Sequence, residues 1–161
     1  MEIDNEVVIE EFIREHQKDL YRFAYSYVKN PNDALDIVQD SVYKALKNSN
    51  TLKEQDKIKT WMFTIIRNTS FTFLKSKNKE ISLSVIEEKS EEESISKTEV
   101  IYLKNLIKNL DQESQELITL RFYEDLQFNE IAEVLETNIS TIKTRFYKVL
   151  TQIKNSYERS G

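Results

Sequence analysis

Six polar side chains near the end of the chain could bind nucleic acid without any covalent chemistry. They are hydroxyls and cations, which donate hydrogen bonds to phosphate oxygens and to base edges in the grooves of a duplex. Apolar Ile139, Ile142, Phe146 and Val149 form a predicted buried stripe at helical spacing between them, so the polar set lies on the outer face of one amphipathic helix. The set comprises Ser140, Thr141, Lys143, Thr144, Arg145 and Lys148.

A second amphipathic segment precedes this helix, and the two have the pattern of a helix-turn-helix. Phe128, Ile131, Ala132 and Leu135 form its apolar stripe. Residues 136–138 break the pattern, and Asn138 is placed to cap the second helix, as Asp111 is placed to cap an earlier helix of the same domain. Small Ala132 would let the two helices cross closely.

Paired amphipathic helices are common in all-helical proteins, so this pattern alone does not establish DNA binding. The charge distribution favours it. Residues 111–136 contain eight acids and one base, whereas residues 141–161 contain five bases and one acid. An acidic segment beside a basic final helix indicates one face turned toward an anion.

The composition argues against an enzyme and for an all-α fold. The 161-residue chain has no cysteine, one histidine and one internal proline, and its single glycine is the last residue. Glycine loops for phosphate are therefore excluded, and no set of nucleophile, base and orienting group is evident. His16 is interpreted as a solvated helix residue. An acidic amino terminus and the lack of a long apolar run predict a cytoplasmic protein.

The sequence of the first half of the chain predicts three helices. Residues 1–11 contain five acids and no base, so the first few residues are expected to be frayed, and helical periodicity runs from Val8 to Val28. Asn30 and Pro31 begin a second helix over 31–47. Its inner face is predicted to bury Ala34, Leu35, Ile37, Val38, Val42, Ala45 and Leu46, while Asp36, Gln39 and Asp40 form a polar face. That face is either solvated or a docking surface for a basic partner.

Residues 57–79 form a third predicted helix that has six bases and no acid. Trp61 and three phenylalanines interleave with these bases, as in surfaces that bind single strands by stacking. The same rings could equally be core residues. We expect domains at 1–79 and 100–161, the second with four helices, joined by an acidic linker at 80–99.

Two separated segments together resemble one protein family. The first combines Asp36-x-x-Gln39-Asp40 with a Trp-led basic helix containing Arg67-Asn68, and the second is LDQESQELITLRFYEDLQFNEIAEVLETNISTIKTR, residues 110–145. The combination is similar to the extracytoplasmic-function (ECF) class of bacterial RNA polymerase sigma factors, which keep only regions 2 and 4. The resemblance covers about residues 17–79 and 98–154.

The resemblance implies partners and roles. Asp36, Gln39 and Asp40 would dock on the β′ clamp of core RNA polymerase. The β subunit of the polymerase is a further implied partner. The promoter -10 element would be melted and captured by the loop at 48–58 and by Lys57, Lys59, Trp61, Arg67, Asn68 and Lys75. The six residues on the final helix would read the -35 element. An anti-sigma factor is the implied regulator, and no cofactor, metal, catalytic residue or membrane insertion is expected.

The chain departs from the family pattern at two turns. The family usually has glycine where this chain has Asp125 and Glu136. A left-handed glutamate costs about 1 kcal/mol relative to glycine, so the corner at Glu136 is expected to be built differently.

Two other classes remain open on the sequence. A stand-alone helix-turn-helix regulator would bind duplex DNA tightly without polymerase, whereas a sigma factor of net charge -5 would bind it weakly. A helical adaptor would bind neither nucleic acid nor polymerase.

Overall fold

The computed structural model describes residues 3–81 and 98–160, and all regular structure within these ranges is helical. The N-terminal domain consists of α1 (Asn5–Glu15), α2 (Gln17–Val28), α3 (Pro31–Lys47) and α4 (Ile58–Ile81), with short 3₁₀ turns at Ser49–Thr51 and Gln55–Lys57. The C-terminal domain consists of α5 (Thr98–Lys108), α6 (Gln112–Ile118), α7 (Phe128–Leu135) and α8 (Ile139–Ser160). A π-helical turn, Thr119–Tyr123, follows α6. The all-α, two-domain prediction is confirmed, and residues 82–97 of the expected linker lie outside the described residues.

The amino-terminal segment differs from the prediction. Asp4 caps α1, which begins at Asn5. The expected single helix is divided at His16, which ends α1 and precedes α2. His16 is half-buried rather than solvated, since its ring stacks on Phe12 at 4.2 Å between centroids. Its Nδ1 lies 3.0 Å from Asp19 Oδ2.

Local capping chemistry sets the bounds of α3 as predicted. The Asn30 side chain accepts a hydrogen bond from the Asp33 backbone N–H at 2.9 Å, and Pro31 occupies the first turn, where it needs no partner. Ala34 and Ile37 are fully buried, but Leu35 is 49% exposed, so its prediction as a core residue is wrong. The side chain lies instead on the surface groove described below.

Two predicted caps in the C-terminal domain are confirmed. Asp111 accepts from the Ser114 N–H and Asn138 from the Thr141 N–H, each at 2.9 Å. The expectation of an unusual corner is wrong, because Glu136 adopts the left-handed conformation with φ 53° and ψ 48°. Asp125 also has positive φ, 57°. Both glycine positions of the family therefore keep their backbone shape here with acidic residues.

One hydrophobic core runs through both domains. Helix α4 packs on α2 and α3 on one side and on α7 on the other. Each domain contributes fully buried side chains to the same cluster, so the domains are packed face to face: Leu20, Phe23, Met62, Phe63 and Ile66 from the first, and Leu117, Leu120, Leu126, Ile131 and Ile142 from the second. A smaller cluster of Ile118, Phe146 and Val149 holds α8 against α6.

Candidate nucleic-acid interface

The first half of α8 carries all six polar residues that the sequence predicts to contact nucleic acid. Ser140, Lys143, Thr144 and Lys148 are exposed, and Thr141 and Arg145 are half-buried. The Asn138 cap leaves the helix start open to solvent. Ile139, predicted to be buried, is 41% exposed and adds an apolar contact to this surface.

An acidic residue lies within the field of this basic face. The pKa of Asp111 is lowered by hydrogen bonds from Ser114 and further by the nearby cations Lys148 and Arg145. Arg145 also pairs with Glu113 of α6 at 3.8 Å, on a solvent-exposed edge. Such exposed pairs are weak, so Arg145 remains available to a phosphate.

Helix α4 places some of the predicted DNA-binding residues together. Trp61, Asn68 and Lys75 follow at intervals of seven residues, which is close to two helical turns, so they lie along one face. Asn68 and Lys75 are exposed and Trp61 is half-buried. Lys59 lies two residues before Trp61 and therefore on the opposite side of the helix.

A cleft of about 390 Å³ lies between the loop that precedes α4 and the start of that helix. Thr51, Leu52, Lys53, Lys57 and Trp61 contribute to its walls. One further wall residue comes from the other domain: Glu133 of α7, whose carboxylate lies 3.1 Å from Lys57 Nζ.

A second acid of the C-terminal domain binds Arg67. Glu116 is 3% exposed, and its Oε2 accepts from Arg67 Nε at 2.7 Å. The hydroxyl of Tyr27 donates to the same oxygen. Burial and the Glu116 carboxylate both raise the pKa of Tyr27, which keeps the phenol protonated as a donor. The Arg67 guanidinium lies over the Phe71 ring, 4.5 Å from its centroid.

A third acid, Glu124, forms a further contact between the domains. It is 4% exposed and accepts from Arg22 Nε at 3.2 Å. Burial raises the pKa of Glu124 to about 7, although the Arg22 hydrogen bond and charge oppose this shift. Three acids of the segment 111–136, namely Glu116, Glu124 and Glu133, thus face cations of the N-terminal domain in this structure.

The acidic face of α3 is exposed to solvent. Asp36, Gln39 and Asp40 are all exposed, and Asp40 pairs with Lys44 at 3.4 Å. Beside it runs an open apolar groove of about 980 Å³. The sequence analysis missed this groove, whose apolar signal was assigned to the core. Its lining includes Tyr21, Tyr25, Leu35, Val38 and Val42.

Within residues 3–81 and 98–160, no cluster of acidic or histidine side chains suited to a metal ion occurs. No helix in the same part of the chain has the length and apolar character needed to cross a membrane.

One domain has a helix that carries cations and aromatic rings beside a cleft, and the other has a helix-turn-helix with a polar outer face. These features define a two-domain protein of the nucleic-acid-binding class. Comparison with protein families makes this specific. Residues 12–80 match sigma-70 region 2, and residues 101–153 match sigma-70 region 4. The chain belongs to the sigma-70 family of RNA polymerase sigma factors, and within it to the ECF type.

Individual relatives agree with this assignment. The RNA polymerase sigma factor SigV of Bacillus subtilis is 41% identical over 145 residues, covering 86% of this chain and 84% of SigV. The sigma factor YlaC of the same organism is 23% identical and covers 94% of this chain and 93% of its own. Both halves of the chain are matched, so nothing favours the stand-alone regulator, which would use the C-terminal domain alone.

Solved structures share the fold. The sigma factor RpoE in complex with the anti-sigma factor NepR from Bartonella quintana superposes with a TM-score of 0.74 at 22% identity, covering 92% of this chain and 98% of that one. CnrH in complex with the cytosolic domain of CnrY gives 0.68 at 17% identity, covering 95% and 89%.

Proposed function

We propose that this ECF-type sigma factor binds core RNA polymerase and directs transcription from promoters that have matching -35 and -10 elements. Residues 1–79 act as the region 2 domain, residues 80–99 as the linker and residues 100–161 as the region 4 domain. The protein itself makes or breaks no bond. The protein acts in the cytoplasm, where bacterial RNA polymerase transcribes DNA.

The -10 element is captured at the cleft between the loop and α4. Extruding a base from the stack costs a few kcal/mol, and a preformed aromatic and basic cleft offsets that cost. Lys57 and Trp61 line the cleft, and Asn68 and Lys75 continue the same face along α4. The cleft is the observation that carries the proposal, because it combines a stacking ring, a cation and room for a ligand.

The other contacts follow from the remaining surfaces. The exposed face of α8 reads the -35 element through its hydroxyls and cations. Asp36, Gln39 and Asp40 dock on the β′ clamp, and the neighbouring apolar groove supplies buried area to the same contact. An anti-sigma factor is the proposed regulator, by analogy with the neighbour RpoE, which was solved in complex with the anti-sigma factor NepR.

Promoter binding is coupled to separation of the domains. Glu116 binds the half-buried Arg67, so this cation becomes available to DNA only when the acid withdraws. Lys57 is exposed and its pair with Glu133 is weak, but Glu133 occupies a wall of the cleft that a strand must enter. DNA must therefore compete with contacts inside the protein, and its apparent affinity falls with the fraction of molecules that are closed.

Reconstitution tests the proposed function. The protein is added to sigma-free core polymerase with a promoter library randomised at both elements, and transcripts are sequenced. We expect start sites that share one -35 and one -10 sequence. Core polymerase that gives the same transcripts with and without the protein would refute the function.

A further inference from the structure

The loop that forms one wall of the -10 cleft is held from outside by the first helix. Asn5, the first residue of α1, donates one hydrogen bond to the Ser49 carbonyl at 2.8 Å and another to the Leu52 carbonyl at 2.9 Å. These bonds connect positions 44 and 47 residues apart in the sequence. They tie both ends of the turn Ser49–Thr51 to one side chain.

A second amide completes the network. Gln55, in the following turn of the loop, donates to Asn5 Oδ1 at 2.8 Å and to the Ile3 carbonyl at 2.7 Å. Both hydrogens on Asn5 Nδ2 and the acceptor Oδ1 are therefore used, as are both hydrogens on Gln55 Nε2. A side chain with both donors and its acceptor oxygen engaged has a single favourable orientation, which gives the loop a defined shape.

The hydrogen bonds of Asn5 and Gln55 form a brace on the loop, and the braced segment is the part of the loop that reaches the cleft. Leu52 is 3% exposed and anchors the loop in the core, while Thr51, Lys53 and Lys57 line the cleft. The carbonyl of Leu52 that Asn5 holds lies between the two wall residues Thr51 and Lys53. Movement of this carbonyl would change the shape presented to a base.

We propose that Asn5 is a positioning residue for recognition of the -10 element, acting through the loop and without touching DNA. The inference rests on the proposed role of this loop in capturing the -10 strand. Ordering a loop before binding removes the conformational entropy that binding would otherwise have to overcome. Discrimination between bases also requires an ordered loop, since a mobile cleft wall accepts more than one base.

Two substitutions remove hydrogen bonds of the brace without destabilising α1, so their effects can be assigned to the brace. Asn5→Asp has nearly the same shape and favours the helix start, because a carboxylate there meets the positive end of the helix dipole. It removes both donors and places a negative oxygen against two carbonyls. Gln55→Ala leaves α1 intact and removes the second amide. Glu10→Ala, on the exposed side of α1, is the matched control.

The test uses reconstituted holoenzyme and a promoter set with one fixed -35 element and every single substitution in the -10 element. We expect Asn5→Asp to reduce discrimination between the preferred and substituted -10 elements about tenfold, which is the scale of two lost hydrogen bonds. Gln55→Ala should reduce it less. Preference at the -35 element and affinity for core polymerase should match those of Glu10→Ala.

The outcomes distinguish this inference from the proposed function. If wild-type protein directs specific starts and Asn5→Asp and Gln55→Ala both retain full -10 discrimination, the brace is refuted while the function stands. If wild-type protein gives no specific start, the function itself fails. Hydrogen exchange supplies a readout independent of promoters: the amides of Thr51, Leu52 and Lys57 should exchange faster in Asn5→Asp, and unchanged rates would contradict the brace.

Discussion

The hydroxyl of Tyr27 in α2 and the carboxylate of Glu116 in α6 form a buried hydrogen bond between the two domains. Arg67 binds the same carboxylate oxygen from α4. Tyr27 and Glu116 are buried, and the side chain of Arg67 is 20% exposed. The contact between the domains thus has a specific polar centre inside its apolar surroundings.

Removing the Glu116 carboxylate should strongly destabilise the protein. Glu116→Ala leaves a largely buried guanidinium and a buried phenol without their shared partner, and a broken buried pair costs about 3 kcal/mol or more. Urea unfolding measures the change. Glu113→Ala is the matched control, since this acid is on the same helix but 68% exposed, and it should change stability by less than about 0.5 kcal/mol. Equal losses in both variants would contradict the role of Glu116.

The stability of the packed domains should depend on pH through Glu124. Its pKa is raised from 4.5 to about 7, so the folded protein holds this proton more tightly than the unfolded chain does. The stabilisation is therefore fully present below about pH 4.5 and is lost as the pH rises through about 7. It amounts to about 3 kcal/mol for a shift of this size.

A matched variant isolates this effect. Glu124→Gln keeps the shape but has no proton to exchange in this range, so its stability should fall less between about pH 5 and about pH 8. The charges facing Glu124 are Arg22 and Asp19, with Tyr123 beside Arg22, and both proteins retain them. Urea midpoints measured across the range give the difference, and parallel curves would refute the assignment.

Replacing Glu136 by glycine should stabilise the protein. The residue has φ 53°, where a side chain costs about 1 kcal/mol that glycine avoids. The change in thermal unfolding should be upward, by a few degrees for a domain of this size. Glu136→Ala removes the same carboxylate but keeps a β-carbon, so it should give no such gain. A comparable gain from alanine would indicate a charge effect instead.

Reversing the charge of the α3 face should weaken binding to core polymerase. Asp36→Lys with Asp40→Lys turns an exposed acidic surface basic, so attraction to a basic partner becomes repulsion. Affinity measured with purified core enzyme should fall at least about tenfold. Glu10→Lys with Glu11→Lys makes the same change in net charge on exposed positions of α1. The docking assignment fails if both pairs weaken binding equally.

Local chemistry was readable from the sequence, and contacts between distant segments were not. Asn30, Asp111 and Asn138 each cap a helix through a backbone N–H three residues later, so the signal lies within one turn. Contacts such as Glu116 with Arg67 join residues 49 apart, and no spacing rule reveals them. The resemblance to sigma factors gave the family but not this packing.

The errors have physical reasons as well. Leu35 and Ile139 are apolar and occupy helical stripes, yet they are exposed, because periodicity does not distinguish a core face from a surface groove or a helix start. Asn5 was overlooked since an asparagine near an acidic amino terminus gives no sign of its partners in the loop. An amide at the first position of a helix is the one local hint that it offers.

Trp61 gives the protein a built-in optical probe. It is the single tryptophan of the chain, and it lines the cleft proposed to capture the -10 element together with Glu133 from the opposite domain. Indole emission responds to water and to stacking with bases. Unlabelled protein should therefore change its fluorescence when the domains part and again when a strand enters the cleft, so that the two steps can be timed separately in a stopped-flow instrument.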